Sequence, residues 1–145
     1  MATDLPPPEP PPADEPAGTG PSEVMFGADR ASRGLGIQLL WAGDSTASVQ
    51  MTVTAVMVNG HGMAHGGYVF LLADTAFACA CNSAGPVTVA AGADITFVAA
   101  AREGDTLTAT ATERVSYGRS GIYDVTVRRG TDVIAEFRGR SRTIG

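Results

Sequence analysis

Lysine is absent from this 145-residue chain, and all ten basic residues are arginine. That absence excludes Schiff-base chemistry and the lysine of a phosphate-binding loop. Histidine and cysteine are scarce, two of each. Besides His61 and His65 the chain offers only Cys79 and Cys81, separated by one residue, which is not zinc-ligand spacing; no metal centre is expected. On a helix those two thiols would point to opposite sides and could not bond to each other, so they read as small core residues in a reducing compartment. No apolar run reaches membrane-spanning length and no charged-then-apolar signal segment opens the chain, so the expected location is the cytoplasm, away from the membrane. Nor is there a basic stripe of the kind nucleic acids require.

Acid exceeds base, with a net charge of -5, but the excess is local. Asp4, Glu9, Asp14, Glu15 and Glu23 all precede the first arginine, Arg30, and the remaining acids and bases cancel. Residues 1–21 are rich in proline and acid and nearly devoid of large apolar side chains. They are expected to form a disordered, partly polyproline tail. Residues 22–145, in a chain that is 44% hydrophobic, have the length of one domain with its own core.

Within that domain one carboxylate interrupts an otherwise apolar segment. From Tyr68 to Cys81 nearly every residue is apolar or small, the pattern of a helix enclosed on all sides, and Asp74 sits in its middle. A buried carboxylate costs several kcal/mol or more unless compensated, so Asp74 is either a structural acid bonded to a neighbouring loop or a reactive group. Ahead of the helix runs a glycine-rich turn, Asn59 to Gly67. Its glycines leave backbone amides uncovered at the partly positive helix start, a place suited to an oxygen that gains charge during a reaction. Gly66 and Gly67 are the candidate donors. Eight residues separate Gly66 from Asp74, roughly 12 Å along a helix. The two cannot act on one carbon from the same chain, which points to a dimer with two shared sites about a twofold axis.

Around the long helix the sequence alternates as strands do. Thr106 to Thr112 and Ser48 to Thr54 change face residue by residue, and Ile122 to Arg128 and Asp132 to Arg138 flank a turn containing Gly130. Gly36 to Leu40 and Pro86 to Val98 bring the strands to about six, with the long helix between the second and third. A short helix is expected from Glu23 to Ser32. An α+β fold follows, an antiparallel sheet of about six strands curled around one central helix.

The segment Asn59-Gly60, His65-Gly66-Gly67, Phe70, Leu72 to Phe77 and Cys81-Asn82-Ser83 resembles the acyl-CoA thioesterases of the hotdog fold. The likeness is closest to the phenylacetic-acid-degradation, or PaaI-like, family. It continues through Ile95 to Phe97, Gly104 to Ala109, Gly121 to Val125 and Phe137 to Ser141, and covers the chain from about Arg33 onward. The resemblance implies hydrolysis of aryl- or medium-chain acyl-CoA thioesters, phenylacetyl-CoA-like substrates favoured, without a cofactor. It implies Asp74 as general base or nucleophile, Gly66 as the amide that polarises the thioester carbonyl, His65 as the buttress of that turn and Asn59 as the residue that positions water or carbonyl. It also implies a dimer of dimers. Met57, Met63, Tyr68 and Phe97 are candidates to line the acyl pocket. Arg119 and Ser120, in the turn Gly118 to Gly121, are candidates to meet the nucleotide, for which seven of the ten arginines lie between Arg114 and Arg142. One departure stands out: Ala99-Ala100 follows Phe97-Val98 where many relatives carry a basic residue and a proline.

Blander readings attach to the same residues. Asn59-Gly60 is a strong turn dipeptide in its own right. His65 suits a structural role, and His61 reads as exposed. Two other functions fit the scaffold: a non-catalytic acyl-CoA-binding or sensing protein, and hydration of an enoyl-CoA. The latter needs a histidine paired with an acid, which neither histidine has nearby in sequence.

Overall fold

In a computed structural model, residues 20–144 of the chain are described. The expected tail therefore lies outside the described residues except for its last two positions. Of these, Pro21 is the first residue of helix α1 (Pro21–Gly27), where its missing N–H costs nothing. The single helix expected from Glu23 to Ser32 is two, α1 and α2 (Arg30–Gly34). Asp29 causes the break: its backbone is extended and its side chain caps α2 by accepting the Ser32 N–H at 2.9 Å.

Six strands form one antiparallel sheet: β1 (Gln38–Gly43), β2 (Thr46–Thr52), β3 (Thr88–Phe97), β4 (Thr106–Tyr117), β5 (Ser120–Arg129) and β6 (Asp132–Thr143). Their order is β1-β2-β4-β5-β6-β3, which leaves β1 and β3 as the edges. The long helix α3 (Gly66–Cys81) falls between β2 and β3 in sequence and lies across the sheet. Two strands run well past their expected ends. β4 continues to Tyr117 beyond an irregularity at Glu113/Val115, and β6 continues to Thr143. In β6, Arg138, Arg140 and Arg142 point outward and alternate with buried Gly139 and Ser141. The period is that of a strand, but its inward residues are too small to register as hydrophobic.

Small inward residues let α3 approach the sheet. Ala47, Ala109 and Ala111 are fully buried beside Val49, Met51, Leu107, Val125 and Val127. At Gly139 the Phe77 ring occupies the space a Cβ would need. Phe77 stacks on Tyr123 and Phe137 at centroid distances of 5.5 and 5.9 Å, closing the core beneath the helix. The enclosure is incomplete, however. Val69, Leu72, Ala73, Ala76, Phe77 and Ala80 are buried, whereas Phe70, Leu71, Asp74, Ala78 and Cys81 are only half-buried. Their spacing traces one stripe along the helix. The helix expected to be covered on all sides thus has a face left open by its own chain, and Asp74 is on it.

Candidate functional site

The loop ahead of α3 is built around Asn59. Its Oδ1 accepts from the N–H groups of His61 (2.9 Å) and Met63 (3.2 Å), and its own N–H donates to the Met63 carbonyl at 2.7 Å. Gly62, with φ of 75°, completes the turn in a conformation other residues resist. Two donors converging on one atom identify it as the oxygen of the amide. The Nδ2 group is left with its protons unclaimed among the described residues. The turn-forming and the functional readings of Asn59 therefore use opposite ends of one side chain.

His65 ends this loop and begins the helix. Its N–H donates to the Met57 carbonyl at 2.7 Å, and its Nδ1 accepts the Gly67 N–H at 3.0 Å as a helix cap. Of the two candidate amides, Gly67 is thus already committed. The Gly66 N–H has no acceptor among the described residues. A Cβ at Gly66 would stand 2.8 Å from Cζ of Phe97, so any larger residue there must push that ring aside. Phe97, half exposed at the end of β3, forms one wall of a groove of about 410 Å³ bounded also by Asn59, Met63, Gly66, Val98 and Ala101.

The other expected pocket residues divide. Tyr68 is half-buried and sits edge-on to His65 with centroids 6.4 Å apart, but does not line the groove. Met57 is 1% exposed and belongs to the core, a correction to its place among the acyl-pocket candidates. Arg119 and Ser120 lie at the far end of the sheet: the Arg119 carbonyl accepts the Thr143 N–H, and Thr143 pairs with Thr88, nine residues along β3 from Phe97. At about 3.3 Å per residue that is roughly 30 Å from the groove within one chain. Ala99 and Ala100 do line the groove, so its rim carries methyl groups at both positions.

Asp74 is two turns along α3 from Gly66 and does not line the groove. Its pKa is raised above the ordinary 3.8, first by burial and then by the charge of Asp29; no hydrogen bond contributes. An acid held this way favours accepting a proton. The two cysteines behave differently. Burial is the leading cause that pushes each thiol up to about 12, so neither supplies a thiolate near neutral pH. Cys79 is buried as expected, while Cys81 is half-buried on the open stripe.

Several arginines are spent on the sheet's outer face: Arg138 on Asp124 with bonds of 2.7 and 3.0 Å, Arg140 on Asp94 at 3.0 Å, and Arg129 on Asp105 at 3.0 Å. Arg114, Arg119, Arg128 and Arg142 make no ion pair among the described residues. Sequence reasoning missed Asp29 as a neighbour of Asp74. Its signal was present, an aspartate three residues ahead of Ser32 at a helix start, but an N-cap in sequence does not announce what lies behind it in space.

The sequence profile described as Thioesterase superfamily matches residues 61–136. The chain is 45% identical over 125 residues to the acyl-coenzyme A thioesterase PaaI of Escherichia coli, covering 86% of this chain and 89% of that protein. The structure of the E. coli PaaI protein from the phenylacetic acid degradation operon superposes with a TM-score of 0.84 at 44% identity, over 86% of this chain and 91% of that one. A variant of the phenylacetic acid degradation protein PaaI of Thermus thermophilus superposes at 0.77 with 32% identity, over 80% of this chain and all of that one.

Proposed function

The chain belongs to the thioesterase superfamily, among its PaaI-like acyl-CoA thioesterases, and from that premise we propose that it hydrolyses aryl- or medium-chain acyl-CoA thioesters to free acid and CoA, phenylacetyl-CoA-like substrates being favoured. The observation that carries the reading is the free Gly66 N–H on the groove, set two turns from a half-buried carboxylate of raised pKa. The thioester carbonyl oxygen accepts from Gly66 N–H, and Asn59 Nδ2 donates to the same oxygen or to the water. His65 holds the turn, Met63 and Phe97 line the groove around the acyl group, and Gly67 and Tyr68 stand beside it on the first turn of α3. Asp74 takes a proton from water as its oxygen attacks the carbonyl carbon. Negative charge moves to the carbonyl oxygen, then returns as the C–S bond breaks, and the CoA sulfur leaves with the proton held by Asp74. Oxyanion donors of this kind are worth roughly 3 to 4 kcal/mol of barrier. Direct attack by Asp74 with a mixed anhydride is the same site's other route.

Gly66 and Asp74 then come from different chains. The partner is placed along β3, a sheet edge with Val89 and Phe97 exposed. Antiparallel pairing of two β3 strands sets the α3 helices side by side, Gly66 of one near the middle of the other. It also carries Arg119 and Ser120 of each chain toward the Phe97 end of its neighbour, where the CoA phosphates would lie. A dimer of dimers completes the assembly. Residues 22–145, with Pro21 as the first residue of α1, are the catalytic domain, and the residues ahead of them its tail. Two free thiols suit a reducing compartment, and the cytoplasm is the proposed location.

The test is thiol release from phenylacetyl, benzoyl, hydroxybenzoyl and aliphatic acyl-CoAs, with Asp74→Asn beside the native chain. Turnover should fall at least about a hundredfold in the variant, as loss of general-base assistance predicts. Near-native turnover would sink the role of Asp74, and saturable CoA binding without release from any thioester would make the protein a binder instead.

A further inference from the structure

The one acid whose charge acts on Asp74 has no part in the reaction described above. Asp29, in the break between α1 and α2, accepts twice from Ser32: Oδ1 from its N–H at 2.9 Å and Oδ2 from its hydroxyl at 2.6 Å. The Ser32 hydroxyl also lies 2.8 Å from that of Thr75, which donates to the Leu71 carbonyl at 2.8 Å. Ser32 and Thr75 are 2% and 6% exposed, so water does not serve these groups. Two hydroxyl protons must therefore satisfy three contacts. The carboxylate is the strongest acceptor and takes the Ser32 proton. The Thr75 proton is left to be shared between Ser32 Oγ and Leu71 O. Thr75 is the residue next to Asp74.

We propose that Asp29 is a positioning residue for Asp74: through Ser32 and Thr75 it anchors the helical turn that carries Asp74, and it sets a second negative charge behind that carboxylate. The proposal rests on the reading of Asp74 as the base. Asp29 is also the one charge that raises the pKa of Asp74 beyond the effect of burial. The other ionisable groups on elements packed against α3 are engaged elsewhere or turned outward. β1 and β2 carry none. Asp94 and Arg140, and Asp124 and Arg138, pair on β3, β5 and β6, and Glu136 accepts from Thr126. Glu113 of β4 takes the Tyr123 hydroxyl, while Arg114 of β4 and Arg128 and Arg129 of β5 sit on the strands' outer or end positions. Glu23 of α1 acts on Cys79, and Arg33 of α2, like Arg30 at the helix start, faces away, with Arg33 donating to the Gly27 carbonyl. Cys81, further along α3, feels Asp74 in turn.

Asp29→Asn separates charge from architecture. The amide oxygen still accepts the Ser32 N–H, its Nδ2 donates to Ser32 Oγ, and the Ser32 proton turns to Thr75, so every contact survives without the charge. The full-length variant is assayed for kcat/KM against pH on the best thioester, and the Asp74 carboxyl is titrated by carbon NMR in aspartate-labelled protein, Asp74→Asn giving the assignment. The expected result is an unchanged Tm and a plateau kcat about two- to tenfold lower. The Asp74 midpoint should move down, and activity on the acid limb should rise about threefold relative to the variant's own plateau. Asp29→Ser, a second uncharged cap, should behave alike. A folded uncharged variant with unmoved limb and midpoint would overturn the proposal while leaving Asp74 as base, provided Asp74→Asn is inactive. An active Asp74→Asn would remove the base and the proposal together.

Discussion

Asn59 illustrates how one side chain can serve the fold with one atom and the reaction with another. Its Oδ1 holds the turn and its Nδ2 is unclaimed among the described residues, so Asn59→Asp and Asn59→Ala should separate the two tasks. The aspartate keeps the acceptor, and its Tm should stay near the native value while thiol release falls at least about tenfold for want of the donor. The alanine should lose activity and about 1 to 3 kcal/mol of stability besides, because two N–H groups lose their acceptor. Differential scanning calorimetry beside the turnover assay distinguishes these outcomes; a fully active aspartate variant would confine Asn59 to the turn. Gly66→Ala is the companion case. Its methyl group would meet the flexible, half-exposed Phe97 ring rather than the core, so the protein should fold and the groove close.

At the scale of elements, Asn82 is the counterpart of His65 at the other end of α3. Its Nδ2 donates to the carbonyls of Ala78 (2.8 Å) and Thr88 (2.9 Å) and its Oδ1 accepts the Thr88 N–H (3.0 Å), tying the helix end to the start of β3. It is buried, so Asn82→Ala should cost about 1 to 3 kcal/mol, read as a lower urea midpoint with an unchanged slope. The elements themselves were largely legible in sequence: six strands, the long helix and its place between the second and third. Alternation and an apolar run report burial directly. What escaped was decided by hydrogen bonding or by size. Asp29 split one expected helix in two, glycine and serine hid the last third of β6, and Met57 proved to be core because proximity in sequence to a groove says nothing about which way a side chain turns. At the site, Gly66 was read from the glycine-rich helix start and Asn59 and His65 from the family resemblance; the structure places the three on one loop and helix start. Asp74 stands apart from them, as the length of a helical rise requires, and Arg119 and Ser120 are a sheet's length away.

For the molecule as a whole, the half-buried acid is a cost to folding. The folded pKa of Asp74 is raised, so stability is greatest when it is protonated and is lost as pH rises through that value. Asp74→Asn should therefore raise Tm at pH 8, with the gain closing as pH falls toward 3.8, the ordinary carboxylate value. Assembly has its own test. Two inactive chains, Gly66→Ala and Asp74→Asn, co-expressed and mixed at random, should regain about a quarter of native sites, since half the dimers would carry one intact site out of two. No recovery, in a preparation shown by mass spectrometry to contain mixed dimers, would place both residues of a site in one chain.

The reaction releases a thiol, and the protein carries two of its own. Because burial holds Cys79 and Cys81 as thiols up to about 12, a disulfide dye added at neutral pH should count the CoA set free and pass over the catalyst. The folded enzyme alone should leave such a dye almost colourless, and the same sample in denaturant should return two equivalents per chain.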